Sequence, residues 1–245
     1  MRISKILSTA LFVLTINSIL AQASLNNYSN PTSPYNFGWK YETPFIATSA
    51  GLLLTGFIID KTNKVEPYTT EELNDLNRND INGFDRGATY NWSTNLSTAS
   101  DVLLIGSMLV PALFLTNKST RKDFGWLLLV GLEVFSINYG LKNSVKDITN
   151  RPRPYVYNSE APINVRTGHD SRRSFFSGHT STTAARSFVV GNVISDYNPS
   201  MKTDLKIGLW SAAVIYPVIT AYLQVESDKH FPTDVIAGYA VGAFT

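Results

Sequence analysis

A chain of 245 residues suits one domain with ample length for a core. It has no cysteine, which excludes disulfides, thiolate nucleophiles and thiolate metal sites. The formal charge of +2 rests on Arg2 and Lys5, so the remainder is neutral and lacks the concentrated basic surface that nucleic-acid binding requires.

Arg2 and Lys5 form a basic n-region, Ile6 to Leu20 an apolar h-region, and Ala21-Gln22-Ala23 an A-x-A cleavage site. That is the pattern of a secretory signal over residues 1–23, with an uncleaved membrane anchor as the alternative. Residues 24–43 follow as a lead-in with proline and aromatics, suited to draping on the fold or to a lipid interface. The helical domain is expected over residues 44–245.

Within it, apolar stretches run about Pro44–Ile59, Val102–Leu115, Phe124–Leu141, Thr180–Ile194 and Ile207–Leu223, and a sixth starts at Thr233. Strand-like alternation is absent, so the expectation is an all-α protein, an antiparallel bundle of about six helices, with Pro217 kinking the fifth. The chain ends at Thr245, before a sixth helix of ordinary length is complete. In the polar connector 60–100, Thr69 followed by Glu71 and Glu72 signals a short capped helix. Asp80, Asn82 and Gly83 imitate a calcium loop, but that frame puts Arg78 at its first ligand position and Thr89 where a bidentate Glu belongs.

A membrane span needs about 20 apolar residues, and these stretches are mostly shorter, with Asp101 and Glu133 at or inside them. Val102–Leu115 and Ile207–Leu223 are nonetheless apolar enough to insert. Three spans after a cleaved signal put the later motifs in the cytoplasm, whereas the basic loop Lys118, Arg121, Lys122 favours the opposite orientation. The expectation is export to the bacterial cell envelope, membrane-associated or periplasmic.

Three short frames carry the chemistry, all at helix ends that share one face of an antiparallel bundle. Lys146 and Arg153 close the third stretch and read as ligands of a phosphate, the first a point charge and the second a planar fork. Alone, they equally fit a solvated charge cluster with Lys142, Arg151, Arg172 and Arg173. Ser177 caps the fourth helix, whose first N–H groups face an anion, and Gly178 permits close backbone approach. His179 is placed to protonate a leaving alkoxide, or is an ordinary surface histidine. His230 reads as a nucleophile oriented by Asp234, or as a structural His–Asp pair. His169, with no paired motif, is expected to face solvent. No cluster of His, Asp and Glu has metal-ligand spacing, so neither metal nor cofactor is expected. Phosphoryl transfer through a covalent histidine is the chemistry that fits this set.

These frames, in this order, resemble the type 2 phosphatidic acid phosphatase superfamily, which includes bacterial acid phosphatases and vanadium haloperoxidases. Its pattern K-x6-R-P, P-S-G-H, S-R-x5-H-x3-D appears as Lys146 to Pro154, Phe176-Ser177-Gly178-His179, and Leu223-Gln224 followed by His230 and Asp234. The resemblance implies that His230 becomes phosphorylated and His179 protonates the leaving group. It also implies that Lys146, Arg153, Ser177 and the Gly178 amide hold the phosphoryl oxygens without a metal. Phe176 replaces the family's proline, and Gln224 stands where the family has an arginine on the phosphate. The expected partner is a lipid-linked phosphomonoester or diphosphate at a membrane. The alternatives are a soluble periplasmic acid phosphatase, a member weakened by Gln224, a non-catalytic envelope protein, and a haloperoxidase, for which the pocket is short of a cation. Arg186, on the face of His179 seven residues on, either compensates for Gln224 or is a surface arginine.

Overall fold

The computed structural model describes residues 33–62 and 65–245. The signal-like segment 1–23 and the start of the lead-in lie outside the described residues. Among the described residues six long helices make the fold: α1 (Trp39–Thr62), α2 (Thr94–Leu109), α3 (Phe124–Thr149), α4 (Gly178–Asp196), α5 (Thr203–Glu226) and α6 (Pro232–Phe244). No strand occurs among the described residues, and the protein is all-α.

Each apolar stretch lies in a helix that runs past at least one of its ends, because local capping places helix ends beyond the apolar run. The Gly38 carbonyl accepts the N–H groups of Tyr41 and Glu42 at 2.8 and 3.0 Å, so α1 opens before Pro44. Ser93 caps α2 by accepting from Leu96 N at 3.3 Å, eight residues and more ahead of the apolar run. α3 continues to Thr149 and stops at Asn150, which takes the left-handed conformation at φ 47°. The stretch after Leu109 tightens into a 3-10 turn, Val110–Leu115, where Pro111 withholds an N–H. α5 runs on through Pro217 without a break.

These polar end turns correct the expectation that the helices are too short to span. Four segments, 39–62, 94–115, 124–157 and 203–226, are long and apolar enough to cross a membrane. The distribution of residues fits that solvent. Leu54, Phe57, Ile105, Leu109, Leu132, Ile215 and Val218 face outward, while Ser100, Ser107, Asn138, Thr183, Thr220 and Gln224 are buried between helices. In lipid, helices gain little by hiding apolar surface from one another, so small residues and hydrogen-bonding side chains form the contacts.

α1 lies parallel to α3, since Trp39 meets Trp126 at one end and Gly56 meets Gly140 further along. A Cβ at Gly56 would stand 2.7 Å from the Gly140 Cα, so the two backbones touch there. α4 and α6 meet in the same manner: a Cβ at Gly238 would lie 2.5 Å from the Ser177 carbonyl oxygen, and Gly242 abuts that of Ser181. The ends of α1, α3 and α5 and the starts of α2, α4 and α6 therefore gather at one face of the bundle, where Asp60 reaches Arg173, and Asp101 reaches His179.

The connector after α1 caps that face. Its short helix Thr70–Asn74 begins with the expected box: Thr69 accepts from Glu72 N at 3.2 Å, and Glu72 accepts from Thr69 N at 2.9 Å. Tyr68 and Leu73 bury against Tyr155, Val156 and Ala161 of the loop after α3. At the opposite end of the bundle, lead-in residues Tyr35 and Phe37 pack on Tyr197 and Trp126.

Candidate active site

His230 occupies the turn between α5 and α6 and is 1% exposed. Its N–H donates to the Gln224 carbonyl at 3.1 Å, which closes α5 and fixes where the ring begins. Nδ1 faces Asp234 Oδ2 at 3.4 Å, and Nε2 faces Arg153 Nη1 at 3.4 Å. A guanidinium only donates, so Nε2 accepts and the ring proton belongs on Nδ1, toward the carboxylate. Burial, and then the charge of Arg153, hold His230 well below the ordinary histidine value, against the pull of Asp234. The ring is neutral, with the Nε2 lone pair beside a cation.

Asp234 is saturated with donors. Oδ2 accepts from Phe231 N at 3.0 Å and from Ser174 Oγ, and Oδ1 pairs with Arg151 Nη1. Burial works to raise its pKa, but the hydrogen bond from His230, Arg151 and Ser174 outweigh it, and the carboxyl stays below the usual range. Arg151 bridges to a second buried carboxylate, Asp85 of the capping connector, at 2.7 Å. Asp85 in turn accepts from Thr233 N at 3.0 Å and Thr233 Oγ1 at 2.7 Å, and from Asn82 Nδ2 at 2.8 Å. Composition and spacing gave no sign of this chain, because Asp85 lies far upstream and Arg151 read as one charge in a cluster.

Arg153 is aimed by main-chain acceptors, donating from Nε to the Asp170 carbonyl and from Nη1 to that of Lys229, both at 3.1 Å. Lys146, in the last turn of α3, is buried on the same side. The charges of Arg153 and Lys146 act on both His179 and His230, so the two histidines lie in the field of the same two cations. Ser177 is fully buried and caps α4, accepting from Thr180 N at 3.4 Å and Thr180 Oγ1 at 3.0 Å. Its N–H donates to the Asp234 carbonyl at 3.0 Å, tying the start of α4 to α6. A Cβ at Gly178 would stand 2.6 Å from Lys142 Cδ, so the glycine lets a further lysine lie across the helix start.

His179 has a partner that sequence reasoning missed. Its Nε2 meets Asp101 Oδ1 at 2.7 Å. Asp101 read as a charge that troubles a membrane helix; its position two turns into α2 puts it on the site. Burial lowers the His179 pKa, and the Asp101 bond opposes that without cancelling it.

Four other expectations are met or redirected. Gln224 has a different contact from the one its motif position implies: its amide nitrogen donates to the buried Ser100 Oγ at 2.7 Å, tying α5 to α2 next to Asp101. Arg186 donates to Ser107 Oγ at 2.9 Å, about 10 Å along α4 from His179 by helical rise, so it braces α2 and does not compensate for Gln224. Arg173 pairs with Asp60 at 2.7 Å and Asp147 at 2.8 Å, a structural junction of α1 and α3. His169 faces solvent, with its side chain 64% exposed.

No curated protein matches the chain. Among solved structures, a transmembrane PAP2-type phosphatidylglycerolphosphate phosphatase from Bacillus subtilis is similar at 20% identity, covering 80% of this chain and 90% of that one, with a TM-score of 0.48. The family model that matches is the PAP2 superfamily, over residues 124–245, from the start of α3 through both histidines. Through that C-terminal half, the chain belongs to the PAP2 superfamily.

Proposed function

We propose that the protein is a metal-independent phosphatase acting on a lipid-borne phosphomonoester or diphosphate through a phosphohistidine. The observation that carries the reading is His230, neutral and buried between Asp234 on one ring nitrogen and Arg153 on the other. Membership of the superfamily supports a phosphatase. The four helices long and apolar enough to cross a membrane favour a substrate that resides there.

In the first step His230 Nε2 bonds to phosphorus as the phosphorus–oxygen bond to the leaving group breaks. His179 gives its proton to the departing oxygen. Asp234 accepts from Nδ1–H and balances the positive charge that the ring acquires. Lys146, Arg153, the Ser177 hydroxyl and the Gly178 N–H hold the phosphoryl oxygens, the task that a metal performs in other phosphatases. Water then attacks phosphorus, His179 takes the water's proton, and the nitrogen–phosphorus bond breaks to release phosphate and restore the neutral ring.

Purified protein should release phosphate from lipid phosphates and from p-nitrophenyl phosphate at full rate in excess chelator, with orthovanadate inhibiting as a mimic of the pentavalent transition state. Activity that a chelator removes and a divalent ion restores would overturn the mechanism.

The two histidines set the pH profile. His230 must be neutral, so kcat/KM falls as pH drops through its strongly lowered pKa. His179 must be protonated for the first step, so kcat/KM falls again as pH rises through its own lowered pKa. Both limbs lie below the ordinary histidine value, and the optimum is acidic. Asp101→Asn removes the charge that favours the His179 imidazolium. We expect its upper limb to lie at lower pH than the parent's on the same substrate, by a margin that the exposure of Asp101 keeps small. An unmoved limb would mean that His179 is not the acid.

A further inference from the structure

The superfamily pattern places an arginine at position 224, and here that position is a glutamine whose amide is engaged with Ser100. Another cation nevertheless lies near Arg153. Lys229 immediately precedes the nucleophile, and its carbonyl accepts from Arg153 Nη1 at 3.1 Å. Its ammonium lies over the rings of Trp92 and Tyr155, 5.4 Å from each centroid, while the Arg153 guanidinium lies 6.0 Å from the same Tyr155 ring. Two cations thus border one aromatic wall.

Among the described residues Lys229 forms no ion pair. Its neighbour Asp228 is fully buried, is bonded by Asn158 Nδ2 at 2.9 Å, and is pushed up to about 7 by burial. Burial, and then Arg153, lower the Lys229 ammonium, with Asp101, Asp170 and Asp228 opposing from a distance. The aromatic faces hold the ammonium in place, but they do not neutralise it. A half-buried ammonium next to a guanidinium is unfavourable unless an anion comes between them.

Resting on the phosphatase reading, we infer that Lys229 supplies the charge missing at position 224 and holds an oxygen of the transferred phosphoryl group beside Arg153. The chain has moved the cation from the buried end of α5 to the turn that carries the nucleophile.

The test is Lys229→Met, which keeps an apolar stem on the two rings, with Lys229→Arg as the conservative partner. Should Lys229→Met not fold by thermal unfolding, Lys229→Gln serves in its place. We expect kcat/KM for p-nitrophenyl phosphate to fall about 10²-fold in Lys229→Met, the loss typical of one oxyanion donor. Orthovanadate should inhibit it correspondingly more weakly, and Lys229→Arg should retain most of both. A monoester and a diphosphate should lose alike; loss confined to the diphosphate means that Lys229 touches the leaving group and overturns the assignment. Parental rates and vanadate inhibition in Lys229→Met overturn it too, while leaving the phosphatase reading intact. If the parent protein releases no phosphate, thermal stabilisation by orthovanadate decides. Stabilisation that needs Lys229 keeps the cation assignment though the hydrolytic reading falls, and stabilisation equal in both, or absent from both, removes it.

Discussion

His230→Ala should leave no covalent adduct and reduce turnover by at least about 10⁴-fold, since a nucleophile cannot be partly replaced. Labelled substrate mixed with the parent protein and quenched without acid should trap phosphate on the protein in a linkage stable to base and labile to acid. The physical basis is the ring's setting: a neutral imidazole with Nε2 as acceptor, 1% exposed, needs no proton removed before it attacks. His179→Ala should still form the adduct from p-nitrophenyl phosphate, whose leaving group departs without a proton, and should fail with alkyl phosphates. An adduct that persists in His230→Ala would assign the covalent step to another residue.

Asp234→Asn should be nearly as severe, for two separable reasons. The carboxylate holds the Nδ1–H tautomer and balances the imidazolium, and loss of that role alone lowers kcat by about 10⁴-fold in comparable triads. It also accepts from Phe231 N, Ser174 and Arg151, so an amide brings a donor into a ring of donors. Breaking a buried ion pair from one side costs about 3–5 kcal/mol, and thermal unfolding should register it. Asp85 shares Arg151, so Asp85→Asn should repeat the loss of stability with a smaller effect on kcat. An Asp234→Asn protein of parental kcat would remove Asp234 from the mechanism.

The residues legible in the sequence were those whose role is set locally. Ser177 and Thr69 announce helix starts by side-chain chemistry, and His230 and Asp234 lie four residues apart across the start of α6, close enough in sequence to meet. The residues that were not legible act across the bundle. Asp101, 78 positions from His179, and Asp85, 66 positions from Arg151, look in sequence like a misplaced charge and a loop acid. Gln224 was misleading for the opposite reason: its motif position implies a phosphate contact, whereas a small buried hydroxyl on α2 takes its amide. Apolar counting understates helix length because it omits polar end turns, and those turns hold the candidate site.

The contact of α4 with α6 has a consequence for how the reaction is gauged. Ser177 and His179 ride on one helix, Asp234 on the other with His230 just ahead of it, and the two meet where Gly238 and Gly242 lie against the carbonyls of Ser177 and Ser181. Only main chain and the Cβ atoms of Ser177 and Ala184 meet the two glycines at these points, so no rotamer can widen or narrow the gap. In the proposed mechanism, the span from His179 to His230 is then set by how closely these two main chains pack, the least adjustable dimension a protein has. Two residues without side chains therefore act as the ruler for a reaction they never touch. A change at either would alter the distance over which the phosphoryl group must travel, even with every reacting residue in place.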